Sequence, residues 1–154
     1  MKRLINIPRK RDYKLNYLRS QKLFIEQNFE FLKCRIENNV LICKGWVQPP
    51  FCKEAYHILV EYVVGREPKS TILYPEIKPN RKIHMYYDHS LCLHYSKDMK
   101  WTEFTRVYQH TIPWISEWIV YYELYQVNGN IWLGRESPDH LTEATMNVNR
   151  DIEA

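Results

Sequence analysis

Residues 29–47, FEFLKCRIENNVLICKGWV, read as two short strands around a polar ENN turn. Leu32, Cys34 and Ile36 fall at every second position and share one face, and Val40, Ile42 and Lys44 alternate along the next strand. Moving outward, QPPFCKE (residues 48–54) breaks the pattern. AYHILVEYVVG (residues 55–65) resumes it, with Tyr56, Ile58, Val60, Tyr62 and Val64 on one face. KSTILYPEI (residues 69–77) supplies a fourth, shorter strand that ends at Pro75. Four consecutive strands with short links predict an antiparallel meander.

Helices bracket the meander. YKLNYLRSQKLFIEQ (residues 13–27) places Leu15, Leu18, Lys22 and Ile25 at helical spacing. TIPWISEWIVYYELYQVNGN (residues 111–130) carries Pro113, suited to a first helical turn, and Gly129, suited to a helix end. Along it Trp114, Trp118, Tyr121 and Tyr125 form an aromatic stripe, expected to face the core rather than a cofactor or a base. Glu117 and Glu123 on the same helix receive no catalytic role. A loop-rich stretch at residues 75–100 lies between strands and helix. The order helix, four strands, irregular segment, helix predicts an α+β domain with helices packed on a sheet.

The chain has 154 residues, enough for one domain with a packed core, and 45% of them are hydrophobic. Three parts are expected: a basic N-terminal arm at residues 1–14, a folded domain at 15–134 and a polar tail at 135–154. The arm holds six Lys/Arg against Asp12, a net of +5, so the other 140 residues sum to −1 of the overall +4. Nucleic-acid binders spread basic residues over a face of the fold, so nucleic acid is not an expected partner. No apolar run approaches the roughly 20 residues that span a bilayer, and the N-terminus lacks the apolar segment of a secretory signal. The expectation is a soluble, cytoplasmic protein with no membrane partner.

The cysteines are Cys34, Cys43, Cys52 and Cys92, and none forms a C-x-x-C pair. In a reducing cytoplasm disulfides are not expected, and Cys34, Cys43 and Cys52 are read as packing residues. Cys92 stands in HMYYDHSLCLHY (residues 84–95), with His84, Asp88, His89 and His94 close by. From these residues alone three readings stay open. It is a buried apolar filler, a metal ligand with the neighbouring histidines in a spacing that fits no common zinc pattern, or a nucleophile. A thiolate that undergoes transthiolation needs access and one donor for the developing oxyanion, and little else.

The longer stretch IHMYYDHSLCLHYSKDMKW (residues 83–101) resembles the active-site segment of ubiquitin-conjugating enzymes. In that family a His-Pro-Asn tripeptide precedes the cysteine, and a tryptophan follows some residues later. Ser90-Leu91-Cys92-Leu93 matches the centre, and Trp101 lies nine residues beyond Cys92. The bacterial members associated with cyclic-oligonucleotide antiphage (CBASS) operons are more similar still. Their pattern is matched by His84, Asp88, Leu91, Cys92, Leu93 and Trp101, then by Thr111, Pro113, Trp114, Glu117, Trp118, Tyr122 and Glu123, and last by Gly129, Trp132, Leu133 and Gly134. The resemblance covers about residues 15–130.

The resemblance implies a ubiquitin-conjugating-like fold and a catalytic pair, Cys92 as thioester site and His84 as oxyanion donor in place of the family's asparagine. It implies a cGAS-like nucleotidyltransferase as acyl donor, with a lysine as a possible acceptor, and no cofactor or metal. With four glycines and no phosphate-cradling loop, the chain does not adenylate the donor, so a separate activating enzyme is a further expected partner. The other reading is a catalytically silent module of the same fold that scaffolds the nucleotidyltransferase. Three positions qualify the match. His89 replaces a pattern glycine, His94 stands where relatives carry tyrosine, and Asp88 is read as a turn former rather than a proton acceptor.

Overall fold

A computed structural model describes residues 10–93, 102 and 105–134. Helix α1 (Lys10–Asn28) leads into strands β1 (Leu32–Glu37), β2 (Val40–Val47), β3 (Tyr56–Tyr62) and β4 (Lys69–Tyr74). A 3₁₀ turn (Arg81–Ile83) and helix α2 (Thr111–Val127) follow. The strands lie in the order β1-β2-β3-β4, each antiparallel to the next, which is the meander the alternation predicts. The basic residues Lys10 to Lys14 belong to α1, so the helix begins inside the charged stretch. The rest of that stretch, the tail from residue 135, His94 and Trp101 lie outside the described residues.

Asn38 and Asn39 make the β1–β2 turn with both φ angles positive, at 50° and 59°. Two residues in left-handed geometry match the right-handed twist of the flanking strands, and asparagine tolerates that geometry better than most side chains. The turn sets the register, with Glu37 opposite Val40, Ile36 opposite Leu41 and Cys34 opposite Cys43. The apolar face of β1 therefore continues as Leu41, Cys43 and Val47 of β2, while Val40, Ile42 and Lys44 form the outer face. On β3 the buried set is Tyr56, Ile58, Val60 and Tyr62, as their spacing predicts.

One expectation is overturned. Cys34 and Cys43 are not independent packing residues; they are joined in a disulfide, with their Cα atoms 4.1 Å apart. The cause is the register itself, which seats the two side chains directly opposite each other on one face. Cys52 and Cys92 are not in disulfides.

One buried cluster joins α1, all four strands, the segment after β4 and α2. From α1 it takes Leu18 and Ile25, with Gln21 buried between them. Gln21 is a polar residue on an apolar face because its Oε1 accepts the N–H of Val107, 3.1 Å away, which ties α1 to the turn before α2. From α2 the cluster takes Ile112, Ile115, Trp118 and Ile119, so the deeply buried stripe is mostly aliphatic. Of the aromatic stripe Trp118 alone is fully in the core; Trp114, Tyr121 and Tyr125 are half-buried. Pro113 sits in the first turn of α2 and Gly129, at φ 83°, just past its end. There Asn130 N–H donates to Tyr125 O at 3.1 Å, closing the helix and sending the chain back along it.

Candidate active site

The 3₁₀ turn after β4 starts at Asn80, whose side-chain oxygen accepts the N–H of Lys82 at 2.8 Å. Its carbonyl accepts from Ile83 at 3.2 Å and Met85 at 3.3 Å. The turn ends at His84, which adopts left-handed geometry (φ 55°, ψ 44°) and donates its N–H to Arg81 O at 3.0 Å. From α2 the indole N–H of Trp118 donates to Ile83 O at 2.7 Å, pinning the peptide just before His84. His84 itself is 5% exposed.

Residues 84–92 then fold back on themselves. Cys92 N–H donates to His84 O at 2.9 Å, Tyr86 N–H donates to Ser90 O at 2.8 Å, and Met85 bridges Leu91 between them. This is a short antiparallel ladder in which His84 and Cys92 are directly opposed. Met85 and Leu91, the alternate positions, are buried in the core, and Cys92 is half-buried and outside any disulfide. The hairpin is docked on the edge of the sheet, because Leu91 N–H donates to Ser70 O of β4 at 2.8 Å and Ser90 bridges Thr71. The candidate cysteine thus follows directly on a pair of isolated bridges that fix the hairpin to the edge of β4.

The tip of the hairpin is a turn from Tyr86 to His89, closed by His89 N–H donating to Tyr86 O at 2.9 Å. His89, in the position where the pattern carries glycine, has φ 69° and so keeps the left-handed geometry glycine would supply. Asp88 is a turn former. Its Oδ1 accepts the Ser90 hydroxyl and the Ser90 N–H, the latter at 3.0 Å, and its Oδ2 pairs with Lys69 Nζ at 3.2 Å. The two Ser90 hydrogen bonds first, then Lys69, pull its carboxyl down to about 2.

Cys52, the other cysteine outside the disulfide, is set apart by its surroundings. Burial, then the Glu123 carboxylate, push the Cys52 thiol up to about 11. Glu123 is committed to structure: its carboxylate accepts the backbone N–H of Lys53 at 2.8 Å, that of Glu54 at 3.2 Å and the Tyr56 hydroxyl at 3.2 Å. It thereby anchors the QPPFCKE loop to α2. Among the described residues no group of three or more His, Cys, Asp or Glu is placed to hold a metal ion.

Two further residues frame the site. Asn80 looks like any polar residue in a loop, yet it organises the turn before His84. Trp132 stands out in the Gly-x-Trp-Leu-Gly pattern, but only the fold brings its ring to His84, with 5.3 Å between centroids.

The chain matches, over residues 21–140, the family model described as Type II CBASS E2 protein. It belongs to that family. It is therefore an E2-like protein of CBASS systems, and the α+β domain with its four-stranded meander is compatible with an E2-like fold. A comparison with curated proteins finds no match. No helix among the described residues is long and apolar enough to cross a membrane.

Proposed function

We propose that this CBASS E2 protein is a conjugating enzyme that carries an acyl group as a thioester on Cys92, with His84 donating a hydrogen bond to the oxyanion. The observation that carries the reading is the direct opposition of Cys92, half-buried and outside any disulfide, and His84 on a ladder docked to the sheet. Cys34 and Cys43 are bridged, and the Cys52 thiol is pushed up to about 11, both of which favour Cys92 as the nucleophile.

In the first step the Cys92 thiolate attacks the activated C-terminal carbonyl of a partner protein, and the activating group leaves. The expected donor is a cGAS-like nucleotidyltransferase of the same CBASS system, activated by a separate enzyme. In the second step a lysine amine attacks the thioester, Cys92 departs as thiolate and the amine proton passes to solvent. An imidazole N–H can stabilise the tetrahedral oxyanion in both steps, and preorganised donors of this kind matter most where negative charge develops. Conjugation of the nucleotidyltransferase in this way regulates antiphage signalling.

The test is to replace Cys92 by lysine, co-express the full chain with the neighbouring nucleotidyltransferase and any activating protein, and measure intact masses. A stable isopeptide adduct in Cys92→Lys that is absent in Cys92→Ala supports the proposal. A nucleotidyltransferase that binds both variants with no adduct in either overturns it in favour of the silent scaffold.

A further inference from the structure

Resting on the reading of Cys92 as the thioester site, we infer that Lys69 is a self-modification site, an acceptor that takes the acyl group from Cys92 within the same chain. Register brings the two together. Thr71 of β4 bridges Ser90 in the antiparallel sense, and Leu91 N–H donates to Ser70 O at 2.8 Å. Carried one residue further, this pairing sets Lys69, the first residue of β4, level with Cys92. On its other side Cys92 is level with His84. The candidate nucleophile therefore lies between a lysine and a histidine that are distant in sequence.

Opposed residues of an antiparallel pair share a face, and successive residues alternate between faces. Ser70 and Leu91 are both buried on the core side. Their neighbours Lys69 and Cys92 fall on the other face, where Lys69 is exposed and Cys92 half-buried. The lysine amine already leans along this hairpin. Its Nζ pairs with Asp88 Oδ2 at 3.2 Å, and Asp88 Oδ1 accepts the N–H of Ser90 at 3.0 Å, so the amine rests close to the residues that lead into Cys92. Across β3 the residue opposite Lys69 is Glu61. With both side chains of the Lys69–Asp88 pair more than half exposed, water screens the pair and competes for it. The flexible four-carbon stem then lets the amine swing from Asp88 to Cys92 while β4 stays in place.

The step is aminolysis. The neutral Lys69 amine attacks the thioester carbonyl, a C–N bond forms, the C–S bond breaks, Cys92 leaves as thiolate and the amine proton passes to buffer. An acceptor held in the same chain needs no added amine, and its rate is independent of protein concentration. The full chain is loaded with a short peptide ending in glycine, supplied as its mercaptoethanesulfonate thioester, whose thiolate Cys92 displaces. Excess thioester is removed and the protein is left in amine-free buffer. Dithiothreitol then cleaves the thioester and spares the isopeptide, so intact mass counts the isopeptide and peptide mass spectrometry locates it. Wild type should accumulate one thiol-resistant peptide on Lys69. Lys69→Arg should lower that adduct at least about tenfold while loading of Cys92 stays within about twofold. Lys82→Arg, on the His84 side, should leave the adduct within about twofold of wild type, and Cys92→Ala should abolish it.

A loaded Cys92 that decays only by hydrolysis, or an adduct that maps to another lysine, overturns the inference. So does an adduct on Lys69 in Cys92→Ala, which would come from the reagent directly. A wild-type chain that never loads at Cys92 instead brings down the thioester reading on which the inference rests. Lys69→Arg keeps the charge that faces Asp88, so the hairpin stays docked and loading of Cys92 reports on the fold in the same sample.

Discussion

Cys92 donates its backbone N–H to the carbonyl of His84 at 2.9 Å, so the candidate nucleophile and its candidate donor are fastened to each other through the main chain. Because His84 also sits at φ 55°, a substitution there changes two things, the side-chain donor and the cost of left-handed geometry. Asparagine keeps both, since it tolerates that region and its amide donates. His84→Asn is therefore expected to retain lysine transfer from the loaded thioester within about tenfold of wild type. His84→Ala should lose on the order of a hundredfold, the usual cost of one oxyanion donor. Single-turnover decay of the peptide thioester with lysine measures both, and equal losses in the two variants would show that the side chain supplies no hydrogen bond.

The two cysteines outside the disulfide should differ in reactivity. With its thiol pushed up to about 11, Cys52 is on the order of a thousandth thiolate at pH 8. Cys92 should be alkylated by iodoacetamide first, as peptide mass spectrometry of a brief treatment would show. Removing the carboxylate charge in Glu123→Gln takes away one cause of the Cys52 shift, so Cys52 should label faster in that variant. Burial, the larger cause, stays, so the gain should be partial. Cys52 labelling ahead of Cys92 in the wild type would point to the wrong nucleophile.

His89 at φ 69° occupies a conformation that costs a non-glycine residue about 1–2 kcal/mol, against about 0.5–1 kcal/mol of extra chain entropy lost by glycine. His89→Gly should therefore stabilise the protein by roughly 0.5–1 kcal/mol, read from urea unfolding midpoints at constant slope. No loss of thioester loading is expected, since the hairpin keeps its turn. A destabilised His89→Gly would mean that the imidazole holds the tip by a contact of its own.

How far the residues alone lead depends on how local the cause is. The meander was legible because period-two alternation in residues 32–62 is a local property, and the Asn38-Asn39 turn follows from chemistry within two residues. The pairing of Cys34 with Cys43 needed the register, which that turn fixes, and an assumption about redox compartment hid it. On α2 the bulky rings of Trp114, Tyr121 and Tyr125 drew attention from Ile112, Ile115 and Ile119, although the isoleucines have the same helical spacing and bury more completely. Gln21 and Glu123 could not be read at all, because their partners lie 86 and about 70 residues away. At the site, the motif named Cys92 and His84, but the ladder that opposes them and the indole of Trp132 exist only once the chain has folded.

The acid limb of stability should carry the mark of Asp88. Its carboxyl is held down at about 2 in the folded chain, chiefly by Ser90, against about 3.9 when unfolded. The unfolded state therefore binds more protons between these values, and the contribution of Asp88, full above about pH 4, is lost as pH falls toward 2. With its side chain 55% exposed, the contribution is screened and should stay under about 1 kcal/mol. Asp88→Asn should lower stability at pH 7 and flatten the drop between pH 4 and 2, measured by urea unfolding at each pH. An unchanged slope would assign the acid sensitivity to other carboxylates.

Loss of Glu123 should cost stability without touching the thiol of Cys92. Its carboxylate accepts from two backbone N–H groups and the Tyr56 hydroxyl, and Tyr56 is fully buried at the start of β3. Truncation leaves the part-buried Tyr56 hydroxyl short of its acceptor, while the exposed N–H groups of Lys53 and Glu54 can turn to water, a defect worth about 1 kcal/mol. Glu123→Ala should therefore lower the unfolding free energy by about that amount. Glu123→Gln, which can still accept, should lose less. If the family's Tyr-Glu pair were catalytic instead, both variants would slow peptide-thioester transfer from Cys92 alike at unchanged stability. The expected outcome is the reverse: stability falls in the order wild type, Glu123→Gln, Glu123→Ala, and the transfer rate per folded molecule stays constant.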